Sequence, residues 1–144
     1  MVSLLSLDYL AGLVDGEGCI QIRRTARPRG RSPQHQLALR IALVYKPTID
    51  ALGAQFGGSV HTYKRRFPRR ESHVWIITGT AAADVLTRLY PLLREKQEQA
   101  WLALEFQAQC TTHNKVTPTA EEFALRDGFY WAMRQAKTYE FVTA

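Results

Sequence analysis

Three things are scarce in this chain: cysteine, long apolar runs and, along one third of its length, acidic side chains. There are only 2 cysteines in 144 residues. Cys19 and Cys110 do not form a metal-ligand spacing, and two free thiols in a reducing compartment are expected rather than a disulfide framework. Cys19 reads as a small strand residue and Cys110 as a helix-end residue. No apolar run is long enough to cross a bilayer. No basic segment precedes the N-terminal leucines, which argues against a secretory signal. An intracellular location is expected, with the compartment left open and organelle or bacterial cytoplasm both plausible. The chain also lacks internal repeats and low-complexity segments. Its length predicts one domain over 1–144, large enough for a core without staples.

The shortage of acids is local. Between positions 23 and 70 a single acid, Asp50, stands against 12 cations, a local charge of +11 in a chain of net +6. The remainder is therefore −5. Arg23, Arg24, Arg27, Arg29, Arg31, Arg40, Lys46, Lys64, Arg65, Arg66, Arg69 and Arg70 supply the charge. Segregation of this kind points to a polyanion-binding surface more than to general solubility.

The most informative stretch is Leu10-Ala11-Gly12-Leu13-Val14-Asp15-Gly16-Glu17-Gly18. Leu7, Leu10, Leu13 and Val14 recur at helical spacing as an apolar stripe. Asp8, Ala11, Gly12 and Asp15 fall on a second, small and acidic face. A mid-helix glycine costs about 1 kcal/mol relative to alanine, and close approach of another helix is the expected reason for it. Gly16 and Gly18 are expected to supply the unusual backbone angles that end this helix, with Glu17 held between them.

Taken in order, the pattern predicts a helix over 6–15 capped by Ser3 or Ser6 and a strand over 19–25. A turn-rich loop over 26–33 follows. In the next strand, 34–45, Leu37, Leu39, Ile41 and Leu43 alternate with Gln36, Ala38, Arg40, Ala42 and Val44. Pro47-Thr48 opens a helix over 47–56, ending at Gly57-Gly58. A second hairpin has strands at 59–66 and 72–78 around Phe67-Pro68-Arg69-Arg70. Its first strand puts Ser59, His61, Tyr63 and Arg65 on one face. Its second puts His73, Trp75 and Ile77 on one face and Val74 and Ile76 on the other. The pattern leaves open which of these faces outward, and Trp75 fits core and surface equally. Helices follow at 81–89, capped by Thr80, and at 91–110, started by Pro91. After a linker over 111–118, Thr119-Ala120-Glu121-Glu122 reads as a capping box opening a final helix to about 137. Its Phe123, Phe129, Tyr130 and Met133 are expected to pack back on the domain. The core is thus expected over about 1–110, with a C-terminal helical extension over about 119–139. The class is α+β, in the order αββαββα with extra C-terminal helices.

The nonapeptide resembles the signature of the LAGLIDADG homing endonucleases, with Val14, Gly16 and Glu17 as replacements. The resemblance implies the αββαββα fold, with a four-stranded antiparallel saddle over double-stranded DNA. A single copy of the signature implies a homodimer. It further implies a double-strand DNA endonuclease, intron-encoded, that hydrolyses phosphodiesters of a long, nearly palindromic site. Mg²⁺ is the expected cofactor, other divalent ions substituting for it; no small-molecule substrate or membrane partner is implied. Metal ions held by carboxylates activate water and stabilise a leaving oxygen, and Mg²⁺ needs only one or two carboxylates. Glu17 and the Gly16 carbonyl would be the metal ligands, and both also belong to the catalytic set. Asp8, Ala11, Gly12 and Asp15 would form the dimer interface. Leu89 to Ala100 looks like a segment of the homodimeric subgroup in which a lysine reaches the active site, and Lys96 matches that lysine. A cation there polarises water or neutralises charge on phosphate. His35-Gln36-Leu37 matches the same subgroup. Tyr45 and Ile49 depart from it, standing where the subgroup has Gln and Arg; Tyr45 can still donate a hydrogen bond and Lys46 can replace the cation.

A ten-residue strand spans about 33 Å, comparable to roughly ten base pairs. Gln21, Arg23 and Thr25 share one face of the first strand, and Gln36 and Arg40 one face of the second. Arg suits guanine and Gln suits adenine in the major groove. The loop residues Arg27, Arg29, Arg31, Arg66, Arg69 and Arg70 suit phosphates. Tyr45, Lys46, His61, Tyr63, Arg65, His73 and Trp75 complete the expected DNA-binding set. The alternative function is a non-cleaving nucleic-acid-binding protein of this fold, an RNA splicing maturase or a regulator. A His-Asn-type nuclease based on His113-Asn114 lacks the partner histidines such a metal site needs.

Overall fold

The computed structural model describes residues 4–110 and 118–138; His113, Asn114 and nearly all of the expected linker lie outside the described residues. The elements run α1 (Leu7–Glu17), β1 (Gly18–Thr25), β2 (Gln34–Leu43), α2 (Lys46–Phe56), β3 (Ser59–Tyr63), β4 (Ser72–Thr78), α3 (Gly79–Leu89), α4 (Gln97–Gln109) and α5 (Ala120–Ala136). A short 3-10 turn, Tyr90–Leu92, precedes α4. The fold is α+β in the order αββαββα plus two helices.

The strands form one antiparallel sheet in the order β1-β2-β4-β3. The strict alternation of β2 decides which side the helices cover. Leu37, Leu39 and Ile41 are fully buried, and their cross-strand partners are Ile22, Ile20 and Gly18 on one side. On the other side Leu39 pairs with Ile77 and Ile41 with Trp75. These side chains join Leu10, Val14, Ile49, Leu52, Leu86, Phe106 and Met133 in one core. Side chains of the opposite parity point away from the helices, because strand residues alternate between faces.

This register settles β4, and it corrects the placing of His73 and Trp75 in the DNA-binding set. Both lie on the helix-covered side. Trp75 is fully buried, and its indole Nε1 donates to the Gly57 carbonyl at 2.7 Å. The neighbouring Gly58 has φ +86°, and a Cβ there would collide with the Ile76 carbonyl. The two-glycine turn is therefore what lets α2 close over the tryptophan. His73 is also buried, with Nδ1 2.9 Å from the Thr62 hydroxyl.

Ser6 caps α1, its hydroxyl accepting from the Tyr9 amide. Gln55 grips Leu5 through both its amide atoms, at 2.8 and 3.0 Å, and so ties the start of α1 to α2. Helix α1 runs on through Glu17, and the expected glycine angles at its end are absent. Gly16 lies within the helix, and Gly18 is extended at φ −80°. Gly18 is needed for space instead: a Cβ would sit 2.8 Å from the Val14 Cα and carbonyl oxygen. That lets β1 start directly where α1 ends.

The helix expected over 91–110 is broken. The Asp15 carboxylate accepts from the amides of Arg94 at 2.9 Å and Lys96 at 3.0 Å. Those amides are thereby drawn out of a helical path, and α4 starts only at Gln97. Helix α3 starts earlier than expected, with Thr78 rather than Thr80 at its N-cap. Thr119 caps α5 as expected, its hydroxyl accepting from the Glu122 amide.

Candidate nucleic-acid interface and acidic centre

The sheet face turned away from the helices carries Gln21, Arg23 and Thr25 from β1, Gln36 and Arg40 from β2, and His61 and Tyr63 from β3. Arg23 pairs with Gln36 and Cys19 with Arg40; Arg40 pairs in turn with Ile76, and His61 with Val74. Ala38 and Val74 floor the middle of this face: both are fully buried, yet neither belongs to the helix-side core. Donors and acceptors thus ring a small apolar floor. Residues of this parity in the four strands include no acid. Arg and Gln side chains on a strand ribbon suit base edges in a major groove.

The two hairpin loops extend the cationic surface. Arg27 donates from Nε to the Ser32 carbonyl at 2.7 Å and pins its loop, while Arg29 and Arg31 are exposed. In the β3–β4 loop Arg65, Arg66, Arg69 and Arg70 are all exposed. A groove of about 810 Å³ lies between that loop and Arg40. Next to the sheet, Tyr45 is 67% exposed at the N-cap of α2. Lys46 is paired with Asp50 at 2.7 Å, an exposed i,i+4 pair worth about 0.3–0.5 kcal/mol. Ile49 is fully buried.

At the end of α1, Glu17 is exposed and makes no hydrogen bond or ion pair with the described residues. The Gly16 carbonyl is among the last four of the helix, which have no intrahelical partner. Lys96 lies beside them. Its ammonium donates to the carbonyls of Val14 at 2.9 Å and of Gly18. The lysine and the carboxylate therefore sit on the same helix end. Lys96 is half-buried at the N-cap of α4, so it is neither a solvated lysine nor a mid-helix one.

Of the residues expected at a dimer interface, Asp8 and Gly12 are exposed. A Cβ at Gly12 or Gly16 would meet nothing within 4 Å. Ala11 is corrected: it is only 2% exposed and packs into the core of its own chain. Asp15 is corrected too, since both its oxygens serve the Arg94 and Lys96 amides.

Two features escaped the sequence reading. Arg134 and Lys137, at the end of α5, line a cleft of about 180 Å³ with Gln21 and Ile22, and the Lys137 ammonium lies 3.5 Å from the Cys19 sulfur. Their i,i+3 spacing was the available signal, but only the fold brings them to the edge of β1. The second is a clamp. Asp127 of α5 takes Arg24 at 2.8 Å and His35 at 2.9 Å, and Trp131 at 3.3 Å. Burial pushes the Asp127 carboxyl up, but the hydrogen bonds from His35 and Arg24, the Arg24 charge and the Trp131 bond together hold it below the ordinary carboxylate range.

No protein-family model and no curated protein matches the sequence. Solved structures do match in fold. The homing endonuclease I-CvuI, in complex with its target in the presence of 2 mM Ca, aligns with a TM-score of 0.73 at 20% identity, covering 96% of this chain and 85% of that one. The homing endonuclease I-TnaI aligns with a TM-score of 0.72 at 18% identity, covering 94% and 95%. The LAGLIDADG homing endonuclease I-LtrWI, bound to target DNA, aligns with a TM-score of 0.75 at 18% identity, covering 96% of this chain but 47% of that one. The element order, the single antiparallel sheet and the acid-bearing end of α1 thus converge with these superpositions: the chain has the LAGLIDADG homing-endonuclease fold.

Proposed function

We propose that the protein is a sequence-specific, divalent-metal-dependent DNA endonuclease that works as a homodimer. The observation that carries this is the exposed Glu17 carboxylate, unpaired among the described residues, at the end of α1 and directly before β1 of a sheet whose open face carries no acid. Its surroundings fit a hard cation. The donors are all oxygen: the Glu17 carboxylate and the Gly16 carbonyl. Among the described residues no group of three His, Cys, Asp or Glu side chains could hold an ion. These two donors alone are too few ligands for a closed site. Mg²⁺ suits this, since it retains several waters and completes its shell with phosphate oxygens. When bound, the ion lowers the pKa of water and stabilises the leaving oxygen.

The chain's own groups do the rest. In this reading Gln21, Arg23, Gln36 and Arg40, on the open sheet face, meet base edges, and Arg29, Arg31, Arg66 and Arg70 meet phosphates. Lys96 holds the carbonyls next to Glu17 and brings a positive charge beside the phosphate being cut. Gly12 and Gly16 favour the dimer: each costs about 1 kcal/mol in a helix, and none of the described residues occupies the space. A second α1 seated there would bring the two Glu17 carboxylates together, where like charges repel unless cations lie between them. The alignment with almost all of I-TnaI but just under half of I-LtrWI supports reading this chain as one half of a two-fold unit. An intron-encoded origin belongs to the same reading.

The test is Glu17→Gln. The variant is expected to bind duplex DNA and to leave a randomised-site duplex library uncut in Mg²⁺, where the wild type cuts. Metal-dependent cleavage by the variant would remove the mechanism. The second reading, a non-cleaving nucleic-acid-binding protein, is favoured by the Tyr45 hydroxyl, unpartnered among the described residues, and by the buried Ile49. It would be preferred if the wild type bound such duplexes without ever nicking them.

A further inference from the structure

Phe67, at the tip of the β3–β4 loop, is 96% exposed. A phenyl ring this bare has no role in holding its own chain together. It stands in a setting that disfavours association with another copy, because Arg65, Arg66, Arg69 and Arg70 surround it in sequence and are all exposed. Two such loops would repel each other. The ring also borders the groove of about 810 Å³, whose other walls include Arg40, Lys64, Tyr63 and Ser72. That groove continues from Arg40 on the open sheet face to the loop tip and holds five cations, Arg40, Lys64, Arg65, Arg66 and Arg69, with no acid.

The occupant must accept positive charge along its length and still offer a flat apolar surface to a phenyl ring. Nucleic acid does both, through its phosphates and through its sugars and bases. We infer that the β3–β4 loop is a mixed-mode DNA contact, in which its arginines take phosphates and Phe67 makes an uncharged contact with the sugar or base edge of the same strand. This rests on the DNA-binding reading above. It adds to it a salt-independent part of the affinity located at one side chain. Apolar side chains inserted at base steps and aromatic rings stacked on bases are the two geometries such a contact takes.

The phosphate term and the ring term separate by their salt dependence. Each phosphate neutralised contributes about 0.9 to the slope of log K against log salt, whereas an uncharged contact contributes none. The probe is a random-sequence duplex, titrated at several salt concentrations with the wild type, Phe67→Ala, Phe67→Leu and the double variant Arg66→Ala/Arg69→Ala. Phe67→Ala is expected to weaken binding roughly 5- to 100-fold at every salt concentration with the slope unchanged. Phe67→Leu should recover part of the loss, and the arginine pair should flatten the slope by roughly 1.8. Melting temperatures should stay level, since the ring is exposed. Equal binding by Phe67→Ala and wild type overturns the inference alone. So does a change confined to self-association, which would make the ring a contact between copies. A wild type that fails to bind duplex even at low salt overturns the DNA-binding reading, and this inference with it.

Discussion

Asp15 and Lys96 clasp each other across 81 positions of sequence: the Asp15 carboxylate accepts the Lys96 backbone amide at 3.0 Å, while the Lys96 ammonium reaches back to the carbonyl of Val14 at 2.9 Å. The α1 end that carries Glu17 is thereby held from both sides. The same carboxylate takes the Arg94 amide, so the loop before α4 is shaped by α1 rather than by its own sequence.

Asp15→Ala should therefore leave two amides without their acceptor, at a cost of about 1–3 kcal/mol. A lower urea midpoint at unchanged slope would record it. Lys96→Met should cost less stability, about 1 kcal/mol, yet reduce cleavage by more than it reduces DNA binding. Equal losses of binding and cleavage would mean that the lysine serves the fold alone.

Gly12 tests the dimer with opposite signs for fold and assembly. Because nothing lies within 4 Å of the position where its Cβ would stand, Gly12→Leu should keep the single chain folded and strengthen α1 by up to about 1 kcal/mol. It should also block a helix approaching that face. Sedimentation should then show monomers where the wild type shows dimers. A variant that still dimerises would move the interface elsewhere.

Trp75 is a core residue, and its substitution should read as a core loss. Trp75→Ala is expected to cost about 3–5 kcal/mol, enough to unfold much of the population. Trp75→Phe should retain the fold at lower stability, since it forfeits the hydrogen bond to Gly57, with DNA affinity of the folded fraction unchanged.

Asp127 gives an acid sensitivity of known sign. Its folded carboxyl titrates below its ordinary value, which is near 3.9 in an unfolded chain. The stability it contributes is complete above that value and is lost as pH falls through the lower folded value. Asp127→Asn should cost about 1 kcal/mol at pH 7. The gap from wild type should hold down to about pH 5 and shrink below about pH 4. Urea midpoints measured across that range decide it.

Much of this architecture was legible because strands alternate. The leucines of β2 named the buried side and with it the open side that carries Gln21, Arg23, Gln36 and Arg40; His61 and Tyr63, which the alternation of the second hairpin left open, join them only through the register with β4. Failure came where a residue's surroundings are set by distant chain. Positions 93–96 have helical neighbours in sequence, but Asp15 takes the amides of Arg94 and Lys96. His73 and Trp75 alternate as cleanly as Val74 and Ile76, so only the neighbouring strands could choose between the faces. The sequence suggests Gly18 as a glycine whose backbone angles end α1, whereas its reason is close contact with Val14. The charge pattern located the cationic loops but could not show that Lys46 is paired or that Arg134 and Lys137 reach the edge of β1.

The clamp at Asp127 also has a bearing on biosynthesis. Arg24 and His35 leave the ribosome long before the carboxylate that fastens them, which follows 103 and 92 positions later. At about 5–20 residues per second, the first hairpin waits roughly 5–20 s before it is locked. The sheet surface proposed to meet DNA is thus assembled early and made firm late, by a helix that takes no part in the hairpin itself.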